Sequence, residues 1–232
     1  MKYLKIIALI FVTILIISCL GKDKVEDVYG NLFGTFFNDD GYYVVADTVM
    51  GANGFEAKFF FKNDDTLKNV ENKSRIYLLY RLIKEIKGVG YDVECLDYKL
   101  VQEHKILYIE EDNQAARDTL GRDSHSLQNL SISHDYLNII TQIQWKDERH
   151  HQLWITKDAL EQNSEKNDEI TLRLNHIDKE KTDYYNSSLF YISVPIKELQ
   201  DLKPEIDTIY IRVIRIADNI SDQTMTIPYI KR

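Results

Sequence analysis

The residues with the chemistry to form a site are few and scattered. His150, His151 and His176 are three of six histidines. Two imidazoles on neighbouring strands can begin a metal site, but a closed one takes three or four ligands in tight geometry. No third ligand stands at a diagnostic spacing, since Glu148 and Asp178 are near only in sequence. Successive strand residues point to opposite faces, so His150 and His151 cannot chelate one ion together. His151 and His176 are thus either the start of a metal site or a hydrogen-bonded cross-strand pair near a sheet end. Asp123-Ser124-His125 contains the residue types of a catalytic triad, but adjacent residues on a polar stretch do not assemble nucleophile, base and orienting carboxylate. The acidic pairs Asp39-Asp40, Asp64-Asp65 and Glu110-Glu111 fit solvated turns better than glycosidase acids or calcium loops. HExxH, CxxC and glycine-rich phosphate loops do not occur. No catalytic residue and no cofactor is expected from these residues, and the expectation is a non-enzymatic protein.

One thiol carries a stronger signal. Lys2 and Lys5 flank a short start, and Ile6 to Ile17 is an unbroken apolar run ending at Ser18-Cys19. A spanning helix needs roughly 20 apolar residues, so the run is too short to span well and has the length of a signal-peptide core. A small residue and then Cys directly after that core resembles a bacterial lipobox. In that pattern the Cys19 thiol is diacylated, the peptide is cut before it, and the new amino group is acylated too, commonly with palmitate-class chains. Position −3 is Ile16 rather than the commoner Leu. Each buried methylene contributes about 0.8 kcal/mol, so several chains give stable anchoring. Cleavage removes Lys2 and Lys5 and makes an acidic body more so; it should stand off anionic lipid. Gly21 to Asp27 reads as a tether, or loosely resembles the acidic sorting signal that sends some lipoproteins to the cell surface.

With Cys19 lipidated, Cys95 has no intramolecular partner, so an exported chain must rely on ordinary hydrophobic cores. Cys95 falls on the apolar side of an alternating strand and is expected to be buried and inert. Four segments, at Asp47-Thr48, Asp65-Thr66, Asp118-Thr119 and Asp207-Thr208, each followed by an apolar residue, resemble a bacterial O-glycosylation acceptor. Thr119 is the best candidate.

The body must position these residues with strands. Of 232 residues, 44% are hydrophobic and 28% charged, which excludes a disordered chain. The net charge of −8 argues against nucleic acid, which needs a basic footprint. Fifteen Tyr and nine Phe favour strands. Tyr42, Tyr43, Tyr184, Tyr185 and Trp154 could form a stacking platform for sugar or peptide, or half of them are simply core. Asn38-Asp39-Asp40-Gly41 and Lys87-Gly88-Val89-Gly90 read as hairpin turns between β-rich runs. Five or six antiparallel strands up to Ile109 suggest a small closed barrel such as an OB-fold. Six or seven more after Leu127 suggest an antiparallel β-sandwich.

Several segments have a familiar form. Tyr136-Leu137-Asn138-Ile139, His151-Gln152-Leu153-Trp154-Ile155, Leu172 to His176, Leu120-Gly121-Arg122-Asp123, Arg75 to Tyr80 and Gly90 to Val93 resemble the NigD-like lipoproteins. Asn175 stands where that family usually has Arg. The resemblance implies a lipobox, an OB-like barrel and a C-terminal β-sandwich, and brings no established chemistry. The expected organisation is a signal peptide over 1–18, a lipidated tether over 19–27, a barrel over 28–112, a linker over 113–126 and a sandwich over 127–232. The expected role is binding or scaffolding of an unknown protein or glycan. The expected location is the outer membrane, reached through the lipid anchor, with the periplasmic leaflet and the cell surface both open. A glycan-directed envelope enzyme and a metal-binding accessory protein are the alternatives.

Overall fold

A computed structural model of the chain describes residues 27–39, 41–49, 56–61, 65–133, 136–145, 151–162, 166–179, 186–200, 205–215 and 222–230. Alternation of large apolar and polar residues builds the first unit. Strands β1 (Tyr29–Phe37), β2 (Tyr42–Val49), β3 (Glu56–Phe61), β4 (Arg75–Ile86) and β5 (Gly90–Leu100) close a barrel in the order β1-β2-β3-β5-β4. Phe36, Val44, Phe59, Ile76, Leu78 and Val93 fill it. A 3-10 turn, Asp65–Leu67, crosses between β3 and β4 and drops the fully buried Leu67 into the same core. Gly88 sits in the β4–β5 turn at φ 75°, a left-handed conformation that a β-carbon penalises. The barrel is OB-like, and β3 closes it by running parallel to β5 rather than antiparallel.

The second unit is a sandwich, with nine strands among the described residues. One sheet has the order β14-β13-β11-β10-β7 and the other β6-β12-β9-β8. The strands are β6 (Gln102–Glu103), β7 (Ile106–Ile109), β8 (His125–Ser133), β9 (Tyr136–Trp145), β10 (His151–Asp158), β11 (Glu169–Asp178), β12 (Asn186–Pro195), β13 (Thr208–Arg215) and β14 (Gln223–Ile230). Leu137, Ile139, Ile143, Ile155, Leu172, Ile192 and Ile211 interleave between the sheets.

Two expectations need correction. The barrel ends at Leu100, not Asp112: β6 and β7 belong to the two sandwich sheets. Periodicity says which face of a run is buried but not which sheet it joins, and Ile106 packs into the sandwich core. The sandwich is also not purely antiparallel. β7 lies parallel to β10, β6 to β12 and β13 to β11.

The stretch between the units is pinned rather than loose. Helix α1 (Gln114–Thr119) starts at Asn113, whose side chain accepts the Ala116 N–H at 3.0 Å. Arg117 on this helix grips the Asp158 carboxylate at 2.7 and 2.8 Å and the carbonyls of Glu110 and Glu111. That guanidinium holds the Asp158 carboxyl below the usual carboxylate range.

Candidate functional site

Two polar knots concentrate the buried polar chemistry. The first lies at one end of the sandwich, where the β10–β11 register puts Leu153 opposite His176 and His151 two residues along the same face. His151 and His176 therefore meet diagonally, with Nδ1 of one 2.8 Å from Nε2 of the other. A third ring, His125, stands with its centroid 5.5 Å from that of His176. Asp123 holds two of the three, His176 and His125. Its carbonyl lies 3.2 Å from His176 Nδ1 and 3.0 Å from His125 Nδ1, so both nitrogens donate to it. With Nδ1 carrying the proton, Nε2 of His176 is the acceptor for His151. The Asp123 side chain accepts the Asp178 N–H at 2.6 Å.

This knot forms because the chain before β8 lies against the end of β11. Arg122 bridges His176 in parallel, and the Asp123 N–H donates to the His176 carbonyl at 3.0 Å. Gly121 permits that approach, since a β-carbon there would stand 2.2 Å from the His176 carbonyl oxygen. Gly121→Ala is expected to cost about 1–3 kcal/mol by forcing the two backbones apart. Denaturant unfolding checks this, and an unchanged midpoint would refute it.

His151 and His176 hydrogen-bond to each other, while His125 meets His176 edge to face and bonds to the Asp123 carbonyl. Among the described residues no three His, Cys, Asp or Glu side chains are placed to hold one metal ion. Burial is the main force pushing the His125 pKa down to about 4, and it also lowers that of His176. His125 Nε2, and Nε and Nη1 of the buried Arg215, have no hydrogen-bond partner.

The second knot joins barrel to sandwich. Arg75 opens β4 and forms a two-pronged ion pair with Asp47 on β2, both almost fully buried. The guanidinium also donates to Ser193 Oγ at 3.2 Å and Asn138 Oδ1 at 3.3 Å. Ser193 donates to Asn138 at 2.6 Å, Asn138 to Ser133 at 2.7 Å, and Ser133 back to Asp47 at 2.7 Å. The result is a closed ring of bonds across the two units. Tyr136 lies over the guanidinium, with its centroid 3.9 Å away. Beside it, Phe33 and Tyr77 of the barrel meet Tyr191 of the sandwich, the two tyrosines stacked at 4.6 Å. A cleft of about 190 Å³ opens next to the ring, lined by Asn31, Tyr77, Asn129 and Ser131 among others.

The remaining candidates are dispersed. Cys19, His150, Tyr184 and Tyr185 lie outside the described residues. Thr119 is exposed in the last turn of α1, and its hydroxyl donates to the Ala116 carbonyl at 2.8 Å. Cys95 forms no disulfide among the described residues and is half-buried against the barrel core rather than fully buried. The aromatics do not converge: Tyr42 packs on Phe36 of the core, Tyr43 stacks with Phe37 outside the barrel, and Trp154 lies on a sandwich strand. Sequence reading named Arg75 only as the start of a family-like strand, Asp47 only within an Asp-Thr segment and His125 only within a discounted triad of residue types, and it assigned none of them its place in these knots.

The fold and its two knots define a class of two-unit all-β protein, an OB-like barrel locked to a mixed β-sandwich. The sequence profile of the NigD-like C-terminal beta sandwich domain matches residues 106–229, just over half of the 232 residues. The chain belongs to the NigD-like family. Solved structures share the fold across both units. A protein of unknown function from Bacteroides vulgatus superposes with a TM-score of 0.66 at 18% identity, covering 87% of this chain and 91% of that one. A NigD-like immunity protein from Bacteroides caccae gives 0.61 at 16%, covering 89% and 98%. A protein described as a "Putative lipoprotein" from Bacteroides fragilis gives 0.58 at 8%, covering 88% and 99%. No curated protein matches the sequence significantly.

Proposed function

We propose that this chain is a non-enzymatic binding module of the bacterial cell envelope, anchored by lipid on Cys19 and directed at a protein partner. The observation that carries the reading is the lipobox-like Ile16-Ile17-Ser18-Cys19 placed directly before a polar tether. The Bacteroides fragilis neighbour's description as a lipoprotein supports the anchor, and the Bacteroides caccae neighbour's description as an immunity protein supports a protein partner. The Arg75–Asp47 ring suits such a role, because it makes barrel and sandwich one body on a short tether.

The test is metabolic labelling with palmitate, followed by fractionation and by protease shaving of intact cells. Wild-type protein is expected to carry label and sediment with membranes, and Cys19→Ala to lose both. Unlabelled wild-type protein would refute the anchor. Shaving, with a periplasmic marker for leakage and a lysed control, assigns the leaflet: loss from intact cells means surface display, protection the periplasmic side.

A further inference from the structure

Among the described residues, one sandwich edge lacks the features that block strand addition. β14 carries Pro228, and β7 has only four residues. The edge of β8 is closed at Leu127, whose N–H donates to the Gln223 side chain at 2.8 Å and whose carbonyl accepts from it at 2.7 Å. β12 differs. It is ten residues long, but its outer neighbour β6 pairs only with Ile192 and Ser193. Its register with β9 runs unbroken from Asn186 to Pro195, so no bulge turns the edge away.

The direction of the free groups follows from one bond. The Ser193 carbonyl accepts the N–H of His104, so the backbone of Ser193 faces the β6 side. The two-residue period of a strand turns Leu189 and Ser187 the same way. No described strand pairs with them there. A groove of about 550 Å³ runs along this stretch, lined by Lys99, Leu100, Gln102 and β12 from Ser187 to Tyr191. Leu100 and Leu189, 62% and 47% exposed, rim it. Residues 186–191 (NSSLFY) contain no charge and no proline.

We propose that an extended segment of a protein partner adds to β12 at Ser187–Tyr191, continuing the line that β6 begins. Alternating N–H and C=O groups on an open edge are matched by another backbone in extended conformation, which makes the occupant a polypeptide. An apolar side chain at one of its alternate positions covers Leu100 and Leu189. The inference rests on the binding-module reading and names its surface.

Two variants isolate the edge. Leu189→Pro removes an N–H that faces outward and leaves the β9 ladder intact, while Leu189→Lys keeps the backbone and adds an edge charge. The full chain, extracted from membranes in detergent, is used to select short random peptides displayed on phage. Selected peptides are expected to protect the Ser187 and Leu189 amides from hydrogen exchange and to bind both variants about tenfold or more weakly. Equal binding to Leu189→Lys, or protection confined to other strands, overturns the edge while leaving a binding module standing. Protection of the same amides without peptide, in a chain that sediments as a dimer, overturns the partner in favour of a second copy. Failure of palmitate labelling instead strikes the anchor reading and leaves this surface untouched.

Discussion

Asp47→Ala is expected to destabilise the chain by about 3–5 kcal/mol, because it leaves the buried Arg75 guanidinium without its counter-ion. Arg75 is always charged, and its side chain is only 4% exposed. Asp47 is its sole counter-ion among the described ion pairs; the other partners, Ser193, Asn138 and Thr35, are neutral. Removing the carboxylate also leaves Ser133 Oγ without its acceptor, breaking the ring at two points. Beside the knot, Phe33, Val101 and Ile140 form an apolar cluster between the units with Tyr77 and Tyr191, so the knot carries the charged part of the coupling. The cost belongs to the unpaired charge rather than to the pair. Asp47→Ala with Arg75→Met should therefore recover most of the loss, since an apolar replacement of a buried ion pair is often neutral. Urea unfolding of wild type, single and double variants decides it. A double variant as unstable as the single one would show that the ring contributes through its geometry and not through charge compensation.

The strands and their faces were legible in the sequence, because alternation and turn residues report them directly. Ile76 and Leu78 are both buried as the period requires, and Gly41 and Gly88 occupy the turns that their neighbours announced. The strand partners were not legible. Gln102–Glu103 is a two-residue strand with nothing in its composition to mark it, and β7 reads the same whether it joins a barrel or a sandwich. The familiar segments turn out to meet one another. Tyr136 and Asn138 clasp Arg75, and Gly121 and Asp123 clip onto the strand that ends near His176. The residues by which the chain resembles its family are, at these points, the ones that hold barrel to sandwich and linker to sheet. Asp47 was out of reach for a different reason. It lies 28 positions from Arg75, and an acid in a strand looks the same whether it faces water or a buried cation.

That structural role for the histidines gives the fold a one-sided response to pH. An imidazole in the unfolded chain titrates near 6.5, whereas burial pushes His125 down to about 4, and the neighbouring His176 and Arg215 reinforce the shift. Between those values the unfolded chain binds a proton that the folded chain refuses. Stability from His125 is therefore complete above the unfolded value and is lost as pH falls toward 4. The shift corresponds to about 3 kcal/mol in all, and about 2–3 kcal/mol of it should be gone near pH 4.5. His176 is shifted in the same direction and adds to the loss. Carboxylates titrate in the same acid range, so the informative quantity is a difference between proteins. His125→Asn places an amide N–H where Nδ1 donates to the Asp123 carbonyl and removes the titration. Urea midpoints near pH 7.5 and pH 4.5 should fall further for wild type than for His125→Asn, by about 2–3 kcal/mol. Equal falls would mean that His125 accepts its proton without cost, and hence that Nε2 finds a partner once charged. Burial of the ring, which penalises its charged form, is what makes the larger fall the expected result.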